Sequence, residues 1–113
     1  MNLNKLLPLT ETTFYIMLSL LEPSHGYAIM QNVEELSGGK VRVAAGTLYG
    51  AIENLSKQKL IVEISGNDKR RRVYVLTTDG QNLLRLELER LKHMVSVMEK
   101  TILKKEAGSD EKV

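Results

Sequence analysis

The sequence predicts a mainly α-helical fold with a small β-hairpin, in the order helix, helix, helix, hairpin, long helix. Three observations predict it. Apolar residues recur at helical spacing in three segments before residue 60, two β-rich runs flank a basic turn, and an apolar heptad repeat follows near the end of the chain. The 113 residues fit a single domain, because domains usually span about 100–200 residues.

Composition and motif content exclude several classes of protein. The chain has no cysteine, which excludes a disulfide framework, a thiolate zinc site and a cysteine nucleophile. The longest apolar stretch, residues 14–21, is shorter than the roughly 20 residues of a membrane span, and the first residues do not resemble a secretory signal. His25 and His93 lack metal-ligand spacing. We therefore expect a cytoplasmic protein that is not an enzyme, with no catalytic residues, metal or cofactor.

Positive charge is concentrated in the middle of the chain, although the formal net charge is only +2. Residues 1–39 hold one Lys against four Glu, residues 40–72 hold eight Lys or Arg against three acidic residues, and residues 73–113 hold seven of each sign. The three net charges are −3, +5 and 0. The middle segment is therefore the one suited to an anionic partner such as nucleic acid.

The first predicted helix spans residues 10–21. Thr10 can cap it, and Glu11 favours the positive end of its dipole. Its apolar residues cover two faces, which predicts burial, and Pro23 ends it. Because the chain has one Phe, four Tyr and no Trp, we expect a largely aliphatic core around this helix.

A second helix is predicted over residues 25–36. Ser24 can cap its start, and Ser37-Gly38-Gly39 can end it because glycine adopts the left-handed conformation at little cost. His25 and Tyr27 in its first turn could cap, pack or contact a phosphate; a core or capping role is favoured for His25. Residues 41–43 (VRV) could form a short strand.

The third predicted helix, residues 44–59, has one buried stripe and one surface of small and polar residues. Leu48, Ile52 and Leu55 form the stripe. The other surface could approach a second molecule closely over its first two turns. It carries Gly46, Thr47, Gly50, Asn54 and Lys57, with Tyr49 and Glu53 on the flank.

A β-hairpin with a basic tip follows. Residues 60–65 alternate and are β-rich, residues 66–68 (GND) favour a turn, and residues 73–76 (VYVL) form the second strand. Lys69-Arg70-Arg71-Arg72 lead into that strand. A run of this kind is by itself more often a solvated loop, but here it lies beside a helix suited to the same anionic partner.

The last predicted helix runs from residue 78 to about residue 105, with Thr78-x-x-Gln81 as a capping box. An apolar stripe continues along it for nearly three heptads. Packing within the chain is one explanation, but the stripe is longer than so small a domain can cover, which favours the same helix of a second copy. The expected dimer-interface residues are Leu84, Leu88, Leu91, Val95, Met98 and Ile102.

Three short helices and a two-stranded hairpin make a winged helix-turn-helix, in which the second helix of the pair enters the major groove of DNA. The third predicted helix takes that place, and the basic run can neutralise phosphates or reach the minor groove. Tyr49 could instead be a packing residue. The expected DNA-binding residues are Tyr27, Thr47, Tyr49, Gly50, Asn54, Lys57, Lys69, Arg70, Arg71 and Arg72.

Over nearly its whole length the chain resembles the PadR family of transcriptional regulators. The matching strings are LTETTFYI at residues 9–16, HGY at 25–27, GTLY at 46–49 and YVLT at 74–77. The short segment after the hairpin is similar to the single-helix branch of that family. The sequence departs from it at Ala44, where many relatives have a capping residue, and in lacking the Trp that some relatives carry on the last helix.

The resemblance implies a homodimeric repressor that responds to small lipophilic or aromatic molecules or to toxic stress. A two-fold dimer would read a palindromic operator. We divide the chain into a DNA-binding domain (1–77), a dimerisation helix (78–106) and a disordered tail (107–113). The alternative function is a winged-helix adaptor that dimerises and binds protein without reading a DNA sequence.

Overall fold

The computed structural model describes residues 2–64 and 70–109 and confirms the predicted fold class. After a short 3-10 helix at Leu3–Leu6, the elements are α1 (Glu11–Ser19), β1 (Ser24–His25), α2 (Gly26–Leu36), α3 (Ala45–Lys57), β2 (Ile61–Glu63), β3 (Val73–Leu76) and α4 (Thr78–Ser109). Helices α2 and α3 form the helix-turn-helix. We call β2, β3 and the residues between them the wing.

The sheet has a third strand that the sequence analysis missed. β3 lies between β1 and β2 and is antiparallel to both, with Ser24 opposite Tyr74 and Ile61 opposite Leu76. Residues 41–43, predicted as a possible strand, are irregular. Instead, the edge of β3 that faces away from β2 pairs with β1, the two extended residues that precede α2.

Helix ends follow the predicted signals in part. The Thr10 side chain accepts a hydrogen bond from the Thr13 N–H at 3.1 Å, as a helix cap does. Ser24 does not cap α2, because the helix begins at Gly26; His25 is the cap residue and makes no side-chain capping bond. Both Ser24 and His25 pair with β3 in the sheet. Gly38 and Gly39 end α2 with φ of +63° and +80°, the conformation expected of a glycine stop.

Helix α3 also ends in a left-handed turn, at a residue that is not glycine. Lys59 has φ of +61°, the Leu60 N–H donates to the Leu55 carbonyl at 3.0 Å, and the Lys59 N–H donates to the Ser56 carbonyl at 3.0 Å. This pair of bonds is the Schellman pattern, in which glycine is the usual left-handed residue. The turn directs the chain from α3 straight into β2.

Lys59→Gly should raise the free energy of unfolding by up to about 1 kcal/mol, because a left-handed residue with a Cβ costs roughly 1–2 kcal/mol and glycine recovers only part of this after its larger entropy loss. Urea denaturation would measure it. Lys57→Gly, two residues earlier in helical conformation, is the matched control and should lower stability by about 1 kcal/mol. Equal losses from both changes would contradict the prediction.

Helix α4 begins one residue away from the predicted cap and ends later than predicted. Thr77 caps it, since its hydroxyl accepts from the Gly80 N–H at 3.1 Å and donates to the Lys59 carbonyl at 2.7 Å; Thr78 is already helical. The helix continues through Ser109, so residues 107–109 extend it where a disordered tail was expected. Residues 110–113 of that tail lie outside the described residues. At about 1.5 Å per residue, α4 is roughly 48 Å long.

The core lies between α1, α2, α3, the sheet and the first turns of α4. It is aliphatic apart from Tyr74, as the composition predicts. Leu84, expected at a dimer interface, is buried in this core together with Leu83, because the first two turns of α4 pack against the domain itself. The core residues are Ile16, Met17, Leu20, Ile29, Val33, Leu48, Ile52, Leu55, Leu60, Ile61, Tyr74, Leu76, Leu83 and Leu84.

Glu87 is the one charged side chain that is buried in the described part of the chain. Its carboxylate accepts from the Leu9 N–H at 2.9 Å and from the Arg90 guanidinium. The bond from Arg90 holds the pKa of Glu87 below its ordinary value, with a smaller contribution from Leu9, although burial acts to raise it. Glu87 thereby ties α4 to the segment that precedes α1.

Candidate nucleic-acid interface

The exposed face of α3 carries two glycines in its first two turns. Leu48, Ile52 and Leu55 point into the core, as predicted. On the opposite face, Gly46 and Gly50 lie one turn apart, and an added Cβ at either would meet no atom within 4 Å. The backbone of α3 is therefore open to close approach from outside. No side chain caps the start of α3 at Ala44, which fits the departure noted there.

A cleft of about 490 Å³ separates the start of α2 from the wing, and we call it the wing cleft. Tyr27 from α2, Tyr49 from α3 and three wing arginines meet in it, although they are distant in sequence. Tyr27 and Tyr49 are 64% and 61% exposed, so both rings are accessible to a ligand. The cleft is lined by His25, Gly26, Tyr27, Tyr49, Arg70, Arg71, Arg72 and Tyr74.

The wing cleft brings the HGY and GTLY strings into contact. Gly26 lies beside the ring of Tyr49: a Cβ added there would be 3.4 Å from the tyrosine hydroxyl and 3.6 Å from its ring. The small residue at the start of α2 thus gives the Tyr49 side chain room to lie between the two helices and the wing. Tyr49 therefore packs along one edge while most of the ring stays exposed.

A second cavity, of about 630 Å³, lies on the other side of Tyr49, between α3 and the wing strands. Glu53 and Lys57 line it from α3, and Arg72 lines it from the wing. Lys57 Nζ is 3.1 Å from a Glu53 carboxylate oxygen, and Arg72 is 3.8 Å from a Glu63 carboxylate oxygen. Acidic and basic side chains alternate across this surface, which we call the α3–wing surface.

The other residues predicted to bind DNA do not all lie beside the wing cleft. Thr47 is exposed beside Gly46 and Gly50. Asn54 lies on the other edge of α3, where it lines a cavity of about 180 Å³ against the segment before α1, well away from the wing cleft. Lys69 and residues 65–68 lie outside the described residues.

Sequence reasoning missed two contributors to this surface. Glu53 was placed on the flank of the third helix, whereas it faces the wing beside Lys57. Tyr74 was treated as an ordinary strand residue, whereas its edge lines both cavities while the rest of the side chain belongs to the core. The helical position of Glu53, four residues before Lys57, could have signalled the ion pair.

Helix α4 keeps an apolar stripe on its surface after it leaves the domain. The side chains of Leu88, Val95, Met98 and Ile102 are each 48–58% exposed. Leu91, between them, is half-buried. A row of half-exposed aliphatic residues at heptad spacing is typical of a helix that packs against another helix.

In residues 2–64 and 70–109, no group of three or more potential metal ligands comes together. No helix there is long and apolar enough to cross a membrane.

A helix-turn-helix flanked by a three-stranded antiparallel sheet, with a basic cleft between them, defines a winged-helix regulator of transcription. The model of the transcriptional regulator PadR-like family matches residues 15–86. The chain belongs to this PadR-like family.

Relatives of known structure share the architecture. A PadR family transcriptional regulator from Eggerthella lenta is 27% identical, with a TM-score of 0.61, and the match covers 80% of each chain. RosR from H. salinarum is 26% identical, with a TM-score of 0.62, and the match covers 91% of this chain and 97% of that one.

A curated relative matches only locally. An uncharacterized 37.1 kDa protein in transposon TN4556 of Streptomyces fradiae is 38% identical over 65 residues, which cover 58% of this chain and 18% of that protein. The chain thus spans about a fifth of that relative's length. The likeness concerns one part of the longer protein.

Proposed function

We propose that this chain is a sequence-specific repressor of transcription that acts in the cytoplasm and binds a palindromic operator in double-stranded DNA as a homodimer. Residues 1–77 would bind the DNA, residues 78–106 would hold the dimer, and residues 107–113 would be a tail outside both. Release by a small lipophilic molecule completes the proposal and rests on the family resemblance; with no Trp on α4, such a molecule could not stack on an indole there.

The wing cleft is the observation that carries the proposal. Tyr27, Tyr49 and Arg70 to Arg72 come from three separate elements and converge beside the glycine-lined face of α3. Arginines and tyrosines at such a groove suit a phosphate backbone, because arginine pairs bidentately with phosphate and tyrosine hydroxyls donate to it. With α3 in the major groove, Thr47 could contact base edges and Lys57 the adjacent phosphates. Asn54 would do so only from the edge of the helix.

The exposed stripe of α4 supports the dimer. If α4 pairs with the same helix of a second copy, two α3 helices are presented together, and a two-fold pair of recognition helices about 34–36 Å apart reads a palindrome in successive major grooves. The expected interface is then Leu88, Leu91, Val95, Met98 and Ile102, with Leu84 removed from it by its place in the core.

A mobility shift separates this function from the adaptor alternative. The probe is the DNA upstream of the protein's own coding region, with an excess of unrelated DNA as competitor. A shift that survives the competitor supports sequence-specific binding. An adaptor would show no shift, or one that the competitor abolishes, while sedimentation still reported a dimer.

Arg71→Ala with Arg72→Ala should weaken binding to every DNA sequence alike, because both guanidiniums line the wing cleft and would contact phosphates. If each protomer neutralises about four phosphates, the log-log salt slope of the dimer is roughly −7, and losing two contacts per protomer should reduce it to about −3.6. Fluorescence anisotropy at several salt concentrations would measure both effects.

The matched control removes two exposed positive charges at the far end of α4, with Lys104→Ala and Lys105→Ala. This pair should leave the salt slope close to that of the unsubstituted protein. If the wing variant also kept its slope and affinity, the wing would have no part in DNA binding.

A further inference from the structure

Glu53 places a carboxylate on the α3–wing surface, next to the residues that we expect to bind DNA. It follows Gly46 and Gly50 on the outward side of α3, and its side chain is 69% exposed. Among the described side chains, Lys57 forms an ion pair with it. Exposed Tyr49 lies one turn before Glu53 on this face, and Glu53 and Lys57 are the charged side chains of α3.

A carboxylate at this place opposes contact with phosphate. It lies in the segment whose net charge is +5, and it lines the α3–wing surface together with Arg72. Like charges repel, so Glu53 lowers the affinity of the surface for any DNA backbone. Glu53 can favour binding only by accepting a hydrogen bond from a donor on the DNA. Such donors lie on the base edges in the grooves.

The ion pair with Lys57 does not account for Glu53 by itself. Both side chains are largely exposed, and exposed pairs four residues apart on a helix contribute little to stability. The 3.1 Å contact does restrict where the carboxylate points, because Lys57 lies one turn further along the same face. Lys57 thus restrains Glu53 beside the wing, on the exposed side of α3. With α3 in the major groove, this side would lie near the base edges.

We propose that Glu53 reads a base in the major groove, accepting a hydrogen bond from the N4 amino group of cytosine, and that Lys57 positions it. The inference rests on the proposed function and adds a specificity-determining residue to it. Cytosine and adenine both present an amino donor in the major groove, but that of adenine lies beside the N7 acceptor, which repels a carboxylate. Guanine and thymine present only acceptors there, so cytosine is the base that suits Glu53 best.

Selection from a library of random DNA tests this. The dimer is used as purified, bound DNA is sequenced, and the unsubstituted protein is compared with Glu53→Gln. We expect a cytosine at one position of each half-site for the unsubstituted protein. The variant should prefer adenine there, because glutamine bonds to the N6 and N7 edge of adenine. On DNA with and without that cytosine, anisotropy should show a preference of about tenfold that the variant loses.

Two controls separate base reading from simpler effects. Glu35→Gln makes the same change of charge on an exposed residue of α2 and should leave the selected sequence unaltered. Lys57→Ala should lower the affinity for all sequences and weaken the preference for cytosine without replacing it by another base, because Glu53 remains but loses the contact that positions it. If Lys57→Ala instead produced the same change of base as Glu53→Gln, the reading residue would be Lys57 and the proposal would be wrong.

The outcomes distinguish this inference from the proposed function. If the unsubstituted protein enriches no sequence at all, sequence-specific binding itself fails and the inference falls with it. If it enriches a sequence and Glu53→Gln enriches the same one, the protein reads DNA without Glu53 and the inference alone is overturned.

Discussion

Leu88→Asp combined with Val95→Asp should convert the protein to monomers and reduce operator affinity by at least about 100-fold. Both side chains are about half exposed in the single chain, so the aspartates stay solvated there and the fold should persist. In a paired helix they would be buried without a partner charge, which costs several kcal/mol. Sedimentation equilibrium measures the first effect. Anisotropy measures the second, which follows because linked half-sites bind together far more tightly than either does alone.

Val97→Asp is the matched control for that interface. Val97 is as exposed as Val95, at 48%, but lies two residues along the helix and therefore about 200° around it. This change should leave the dimer intact. Circular dichroism would show that both variants remain helical. A double variant that still sediments as a dimer would place the interface on another surface.

Gly80→Ala should destabilise the domain by about 3 kcal/mol or more. An added Cβ would lie 2.2 Å from the Leu60 carbonyl oxygen and 3.0 Å from a methyl group of Leu76. The oxygen belongs to the backbone and already accepts the Thr77 N–H at 3.0 Å, so it cannot move aside cheaply. Thermal unfolding should show a midpoint lower by on the order of 10 °C.

Gly108→Ala tests whether the cost comes from the contact or from the change of residue. Gly108 also lies in α4, and an alanine Cβ there would meet no atom within 4 Å. Because alanine favours the helix more than glycine does, this control should be neutral or slightly stabilising. Similar losses from the two variants would show that α4 does not need its close approach to Leu60.

The helices could be predicted because their signals are local. Thr10 caps α1, and Gly38 and Gly39 end α2. Strand β3 occupies the predicted residues, Val73–Leu76. The boundaries that differ involve tertiary contacts. Ser24 and His25 pair with β3, so that α2 begins at Gly26 with His25 as its cap residue. Thr77 caps α4, and its hydroxyl also reaches the Lys59 carbonyl.

The candidate site was predicted by residue type more than by position. A basic run and a glycine-bearing helix can be recognised in the sequence alone, so Tyr49 and the wing arginines could be predicted as DNA-binding residues. Asn54 was named with them, but its direction depends on where the buried stripe of α3 meets the rest of the core, which turns it towards the segment before α1. The same rotation brings Glu53 to the wing.

The sequence by itself determined the order of the elements, the aliphatic core and the segment that carries the positive charge, because spacing, composition and charge are properties of the chain. Only the tertiary structure decided which of these residues meet. The wing cleft joins Tyr27, Tyr49 and three arginines from elements separated by more than twenty residues, and it exists because β1 and β2 pair on either side of β3. Contacts between residues so far apart in the sequence depend on how the helices and the sheet pack together, and the spacing of residues within a single element does not predict them.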